Sequence, residues 1–193
     1  MRRHRPRPRP WSNLTDAEFE ALLPFVCNTG AGRPVHDLRG KLDAIFRIAT
    51  TSLPWSRVST DHGPTATLHR LFRRWAHAGV WSRLLKESAR RRAPRAIRRM
   101  QSWIAAVFRR CHRLLGLAAV VLARRLRIHR ALPGPSWYFP DPDLSETLMA
   151  VLADAAKRPA GDSRAAELTR LTLRLLRNTT RRRPVPRCLV PVG

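Results

Sequence analysis

Within the stretch GPTATLHRLFRRWAHAGVW, residues 63 to 81, Leu68, Phe72, Trp75 and Gly79 follow one another at spacings of four, three and four. Arg70, Arg73, Arg74 and His77 repeat the same spacing on the other side. A chain with that period is committed locally to an amphipathic helix, with one face that buries and one that meets solvent. Gly63 and Pro64 break the chain just before it, so the helix starts from a turn. Helical periodicity of this kind returns along most of the sequence, and the chain is expected to be all-α.

The helices upstream carry their own start and stop signals. Thr15 with Glu18 three positions later forms a capping box, and Leu14 with Phe19 fits the hydrophobic staple around it. The short first helix is expected to end near Pro24. After the loop NTGAGRPV, Asp37 can cap a second helix in which Leu38, Leu42, Ile45 and Ala49 share a face, with Phe46 beside them. Pro54 ends it, and PWSRVSTDHGP holds one further helical turn, Trp55 to Val58. A one-turn helix, a tight glycine turn and a longer helix with a basic outer stripe are the ingredients of a helix-turn-helix, whose second helix enters the DNA major groove. An ordinary surface helix shows the same stripe, so the stripe by itself does not separate the two.

Charge narrows the partners. The 193 residues carry a net charge of +25, from 35 Arg and only Lys41, Lys86 and Lys157. Such a charge attracts nucleic acid or anionic lipid without any specific site. The preference for arginine is also what a GC-rich coding sequence produces. Residues 1 to 10 alternate Arg and Pro and are expected to be an extended, disordered basic arm. They lead into Trp11 and Asn13 without an apolar core, which argues against a signal peptide. The longest apolar run, LLGLAAVVL at 114 to 122, falls well short of the roughly 20 residues of a membrane span. Cys27, Cys111 and Cys188 lie far apart and outside any CxxC spacing, which supports neither a disulfide framework nor a zinc site. The seven histidines (His4, His36, His62, His69, His77, His112, His129) form no pair at metal-ligand spacing, and no G-x-S-x-G or phosphate-cradling glycine loop is present. His69 and His77 are expected on the helix surface or facing a groove.

LTDAEFEALLPFV, followed by GRPVHDLRGKLDAIFRIATTSLPWSRVSTDHGPTATLHRLFRRWAHAGVWSRLL, resembles the N-terminal helix-turn-helix module of bacterial insertion-sequence transposases of the DDE type. The resemblance covers residues 14 to 85. It rests on the order of marks: Leu14 and Thr15, Gly32 to Pro34, Pro54 with Trp55, Gly63, and RRW followed by G-x-W at Arg73 to Trp81. Ser56 stands where that family usually has an arginine, and Val58 and Ser59 where it usually has Leu-Pro. The adjacent Arg57 can take over the contact such an arginine would make. The resemblance implies binding to duplex DNA, with Thr65, Thr67, Arg70, Arg73, Arg74, His77 and Arg57 as the contacting residues. In the full-length family a ribonuclease-H-type domain follows, where three carboxylates hold two metal ions for strand cleavage and joining.

No such constellation is legible here. Residues 88 to 140 contain no Asp or Glu. Asp141, Asp143, Glu146, Asp154, Asp162 and Glu167 fall in a Pro-rich turn and on helical patterns, and Asp143 with Glu146 reads as a capping box opening a helix with Leu148, Leu152 and Ala155. Residues 89 to 132 are expected to form one long basic helix, with Ile97, Met100, Ile104, Val107, Cys111, Leu114, Ala118 and Val121 as its stripe and thirteen arginines around it. LPGPSWYFPDPD makes a corner, where Trp137, Tyr138 and Phe139 can cover helix ends. A last helix, about Ser163 to Arg177, is placed to pack on the long one.

The whole sequence thus reads as a small helix-turn-helix domain followed by a long basic helix and a helical tail. Its divisions are a basic arm over 1 to 10, a DNA-binding domain over 11 to 87 that folds alone, and an Arg-rich helical tail over 88 to 193. The function expected is recognition of transposon-end or similar DNA by a transposase-derived protein without its own nuclease. The alternatives are an inactive or frame-shifted remnant, and a polyanion or membrane-surface binder acting through residues 95 to 130. The expected partners are double-stranded DNA and a separately encoded catalytic subunit. No cofactor, no metal and no integral membrane association are expected, and the expected location is the cytoplasm, at the nucleoid.

Overall fold

The computed structural model describes residues 8–27, 35–51, 54–55, 62–139, 141–159 and 162–180, apart from the side chains of Trp137 and of residues 176–180. Among these residues the fold is all-α, with nine α-helices and no strand. They are α1 (Asp16–Val26), α2 (Leu38–Thr51), α3 (Thr65–His77), α4 (Val80–Ala89), α5 (Arg95–Arg99), α6 (Gln101–Leu115), α7 (Leu117–Arg125), α8 (Pro142–Ala155) and α9 (Ser163–Thr180), with short 3₁₀ turns at His129–Ala131 and Ser136–Tyr138.

The capping box at α1 forms as its residues dictate. Thr15 accepts from the Glu18 amide at 3.4 Å, and the Glu18 carboxylate accepts from the Thr15 amide at 3.2 Å. Pro24 does not end the helix, which continues to Val26. Proline costs the Glu20 carbonyl its partner, but Glu20 and Pro24 are both on the exposed side, where water takes that bond.

α3 and α4 meet at a sharp corner. Gly79 has φ 72°, the left-handed conformation that glycine adopts without penalty, so it is a corner and not part of the α3 face. Trp81 therefore belongs to α4, where its indole N–H donates to the Phe72 carbonyl at 3.2 Å and its ring meets Phe46, Phe72 and Trp75.

The expected single helix over 89–132 is instead three helices. Met100, at φ −86° and ψ 1°, turns α5 into α6, and Gly116, at φ 58° and ψ −135°, separates α6 from α7. The breaks let one stripe meet several partners. Trp103, Ile104, Val107, Phe108 and Cys111 of α6 have no exposed surface and pack into α2, α3 and α4. One apolar cluster consequently runs from Leu14 to Leu132, past residue 87. Residues 1–7 of the basic arm lie outside the described residues, and its described end joins the cluster. Arg9, expected within a disordered segment, lays its guanidinium 4.2 Å over the Trp103 ring, accepts the Trp103 indole N–H on its carbonyl at 3.0 Å, and pairs with buried Glu18.

α9 packs chiefly on α8, and α8 in turn meets α7, so the last helix does not lie along one long helix as the sequence led us to expect. Asp141, rather than Asp143, is the N-cap of α8, accepting from the Asp143 and Leu144 amides, because Pro142 with its fixed φ occupies the first helical position. Arg124 pairs with Asp141 at 2.9 Å and Arg125 with Glu146, which ties the hairpin to α7.

Candidate nucleic-acid interface

α3 has the two faces its period demands. Leu68, Leu71, Phe72, Trp75 and Ala76 are buried, while Arg70, Arg73, Arg74 and His77 are exposed. Its first turn is capped by backbone alone, with the Thr67 and Leu68 amides donating to the Pro64 carbonyl at 2.9 and 3.3 Å. A cleft of about 270 Å³ opens between α3 and the start of α2, lined by Thr67, Arg70, Leu71 and Arg74 on one wall and Val35, His36 and Lys41 on the other. The structure thereby brings Thr67, Arg70 and Arg74 together and adds Lys41 and His36, which periodicity cannot reveal. Thr65, Arg73 and His77 do not line the cleft, and Arg57 lies outside the described residues. His69 does not face a groove. It is half-buried, edge-on to Trp55 at 5.2 Å and stacked on Phe72 at 6.4 Å, and burial, then the charge of Arg73, holds its pKa below the usual histidine range.

The position of α3 is fixed from α2. Asp37 sits at φ 49°, accepts the Gly40 amide at 3.1 Å through one oxygen and meets His62 Nδ1 at 2.9 Å through the other. A Cβ on Gly40 would lie 2.1 Å from that nitrogen, so only glycine lets the His62 ring settle against α2. This contact anchors the chain two residues before the α3 cap to the start of α2, the element that carries Lys41. The hydrogen bond to His62, though opposed by burial, holds the Asp37 carboxyl below the usual range.

Buried Asp43 joins α1 to α2 by accepting the Leu14 amide at 2.7 Å, and Arg39 reinforces the joint through Asp16 at 2.6 Å. Burial pushes the Asp43 carboxyl up, outweighing the Leu14 hydrogen bond and the nearby Arg39. A carboxyl raised in the folded state contributes stability in acid that is lost as pH rises through its folded pKa. Asp43→Asn, which keeps an oxygen for the Leu14 amide, is therefore expected to melt higher than the wild type at neutral pH. That advantage should vanish as pH falls below the ordinary carboxylate range, as thermal melts across pH would show.

Of the acidic residues weighed for a two-metal nuclease, Asp141 and Glu146 are engaged otherwise. Asp141 is a cap and an ion-pair partner, Glu146 is paired with Arg125, and Asp143 lies in the first turn of α8. No group of three His, Cys, Asp or Glu side chains able to hold a metal occurs among the described residues, so those present do not fit such a centre. The Cys111 thiol is buried, with its pKa pushed up by desolvation, which suits packing and not nucleophilic chemistry. No helix among the described residues is long and apolar enough to cross a membrane.

Residues 14–85 match a family model described as "Putative transposase of IS4/5 family". The matched segment runs from α1 into α4, and so contains α3 and both walls of the cleft; α5 to α9 lie beyond it. The N-terminal part of the chain is thus similar to an insertion-sequence transposase, as its residues led us to expect. No curated protein and no solved structure matches the chain.

Proposed function

We propose that this protein binds double-stranded DNA through α3 and the adjoining cleft, as a derivative of an insertion-sequence transposase. The observation that carries the reading is the convergence of Thr67, Arg70 and Arg74 with His36 and Lys41 on one cleft inside the transposase-like segment. Guanidinium and ammonium groups on an open wall suit phosphate oxygens, and the first turn of α3 is where such helices meet base edges. The membrane-surface alternative depends on an exposed apolar stripe over residues 95–130. Ile97, Met100, Ile104, Val107 and Cys111 of that stripe are fully buried, which favours the DNA reading over it.

In this reading Arg70, nearer the helix start, contacts a base, and Arg73 and Arg74 contact phosphate. Arg70→Ala in the full chain is expected to shrink the affinity gap between a transposon-end duplex and random duplex, by about 1 to 3 kcal/mol if the contact is bidentate to guanine. Arg74→Ala should weaken both duplexes alike and lower the salt slope by about one unit. Binding isotherms at about 0.15 M salt, where exposed charges are screened beyond roughly 8 Å, decide the matter. Both variants behaving as wild type would leave α3 as a solvated surface.

The same reading has no nuclease in this chain, since the Asp and Glu side chains among the described residues form no group able to hold a metal. Purified protein incubated with a transposon-end duplex and Mg²⁺ or Mn²⁺ is expected to produce no nicks. Cleavage that disappears on changing Asp141 or Glu146 would refute it. A catalytic subunit encoded separately is the partner this reading calls for.

A further inference from the structure

A second basic cleft, of about 300 Å³, lies entirely beyond the transposase-like segment, between the end of α4, the start of α6 and the turn after α7. Gln101, Arg127, His129 and Arg130 line it, with Ala89 and Ile128 among its apolar neighbours. Residues 88 to 140 supply no carboxylate, and Glu87, the last acid before them, is taken by Arg90 at 2.9 Å. Gln101, which lines the cleft, is the first residue of the 15-residue α6, so the positive end of that helix dipole lies at its wall.

Arg127 occupies its place against its own backbone preference. The Ile128 amide donates to the Ala123 carbonyl at 3.0 Å and the Arg127 amide to the Arg124 carbonyl at 2.9 Å, the two bonds of a Schellman motif. The residue at its left-handed position is ordinarily glycine, yet here Arg127 stands there at φ 56°. A strained residue at the mouth of a cleft is the kind of outlier that points to function.

We infer that this second cleft binds phosphate oxygens, with Arg127 held in the left-handed conformation so that its guanidinium meets them. Burial and then the charge of Arg130, a residue of the cleft wall, hold the Arg109 guanidinium below its ordinary pKa. The site does not rest on the α3 reading. It takes either a nucleic-acid backbone, which would extend DNA contact beyond the matched segment, or a free phosphate.

The test uses Arg127→Gly and Arg127→Asn in the full chain, because both new residues accept φ near +56°. In chloride each variant should melt at or above the wild-type temperature. For a backbone ligand, the slope of log K against log salt for a short duplex should fall by about one unit in both variants. For a free ligand, inorganic phosphate at matched ionic strength should raise the wild-type melting temperature and lose that effect in both. Wild-type slope together with an unchanged phosphate response, or variants that melt lower in chloride, would overturn the inference. Arg70→Ala and Arg74→Ala leave this cleft intact, so a failure of the α3 reading shows in those variants and not here.

Discussion

A chain ended at residue 87 is expected not to fold, although it contains the whole transposase-like segment. The reason is the amount of core that α6 supplies. Trp103, Ile104, Val107, Phe108 and Cys111 are each 0% exposed and fill the space between α2, α3 and α4. Burial of a large apolar side chain contributes roughly 1.5 to 3 kcal/mol. Five of them contribute on the order of 10 kcal/mol, as much as the whole margin of an ordinary domain, about 5 to 15 kcal/mol. Truncation would also strip Phe46 of its contact with Trp103 and uncover the side of α4 that packs on α6. Residues 8–139, which retain α6, α7 and the Phe139 turn, should instead show one cooperative transition. Urea melts followed by circular dichroism would separate the two, and a cooperative melt of residues 14–87 alone would show that α6 is an addition to a core already complete.

That expectation differs from the sequence reading for an identifiable reason. Periodicity reports that a face will bury but not what covers it, and the stripe from Ile97 to Cys111 was surrounded by arginines that made its helix look solvated. Several of those arginines belong to the fold. Arg110 donates to the Ile48 carbonyl at 2.7 Å near the end of α2, with its guanidinium 5.8 Å from the Trp55 ring. Long stems cover apolar surface while their charged ends reach carbonyls or water, so arginine count is a poor guide to exposure. The break at Gly116 did carry a signal, a glycine inside an apolar run, but the continuous stripe outweighed it.

The candidate site was legible on one wall only. The spacing of Leu68, Phe72 and Trp75 fixes which way Arg70, Arg73, Arg74 and His77 point, and α3 obeys it. Lys41 and His36 belong to another helix start, and nothing local to them says that they will face Arg74. They lie beside Asp37, Gly40 and His62, three residues whose joint role becomes visible only in the fold, where Asp37 holds the Gly40 amide at 3.1 Å and His62 at 2.9 Å. The second cleft was wholly illegible, since Arg127 looks in sequence like any other arginine at the end of a basic helix.

Trp103 tests whether the stability of the proposed interface resides outside the segment that carries it. Its ring contacts Phe46 at a centroid distance of 6.0 Å, carries the Arg9 guanidinium at 4.2 Å and donates from its indole N–H to the Arg9 carbonyl at 3.0 Å. Trp103→Ala is expected to cost about 3 to 5 kcal/mol through lost burial and the cavity left behind. Trp103→Phe keeps most of the burial and loses chiefly the hydrogen bond and part of the cation–π contact, together about 1 to 2 kcal/mol. None of these contacts touches the cleft beside α3, so Trp103→Phe should bind duplex DNA with wild-type affinity at a temperature where it remains folded, while melting earlier. Chemical denaturation gives the two free energies and duplex titration gives the affinity. Equal melting of the Ala variant and wild type would show that α6 does not carry the core, whereas a Phe variant that stays folded but fails to bind would place Trp103 in the interface itself.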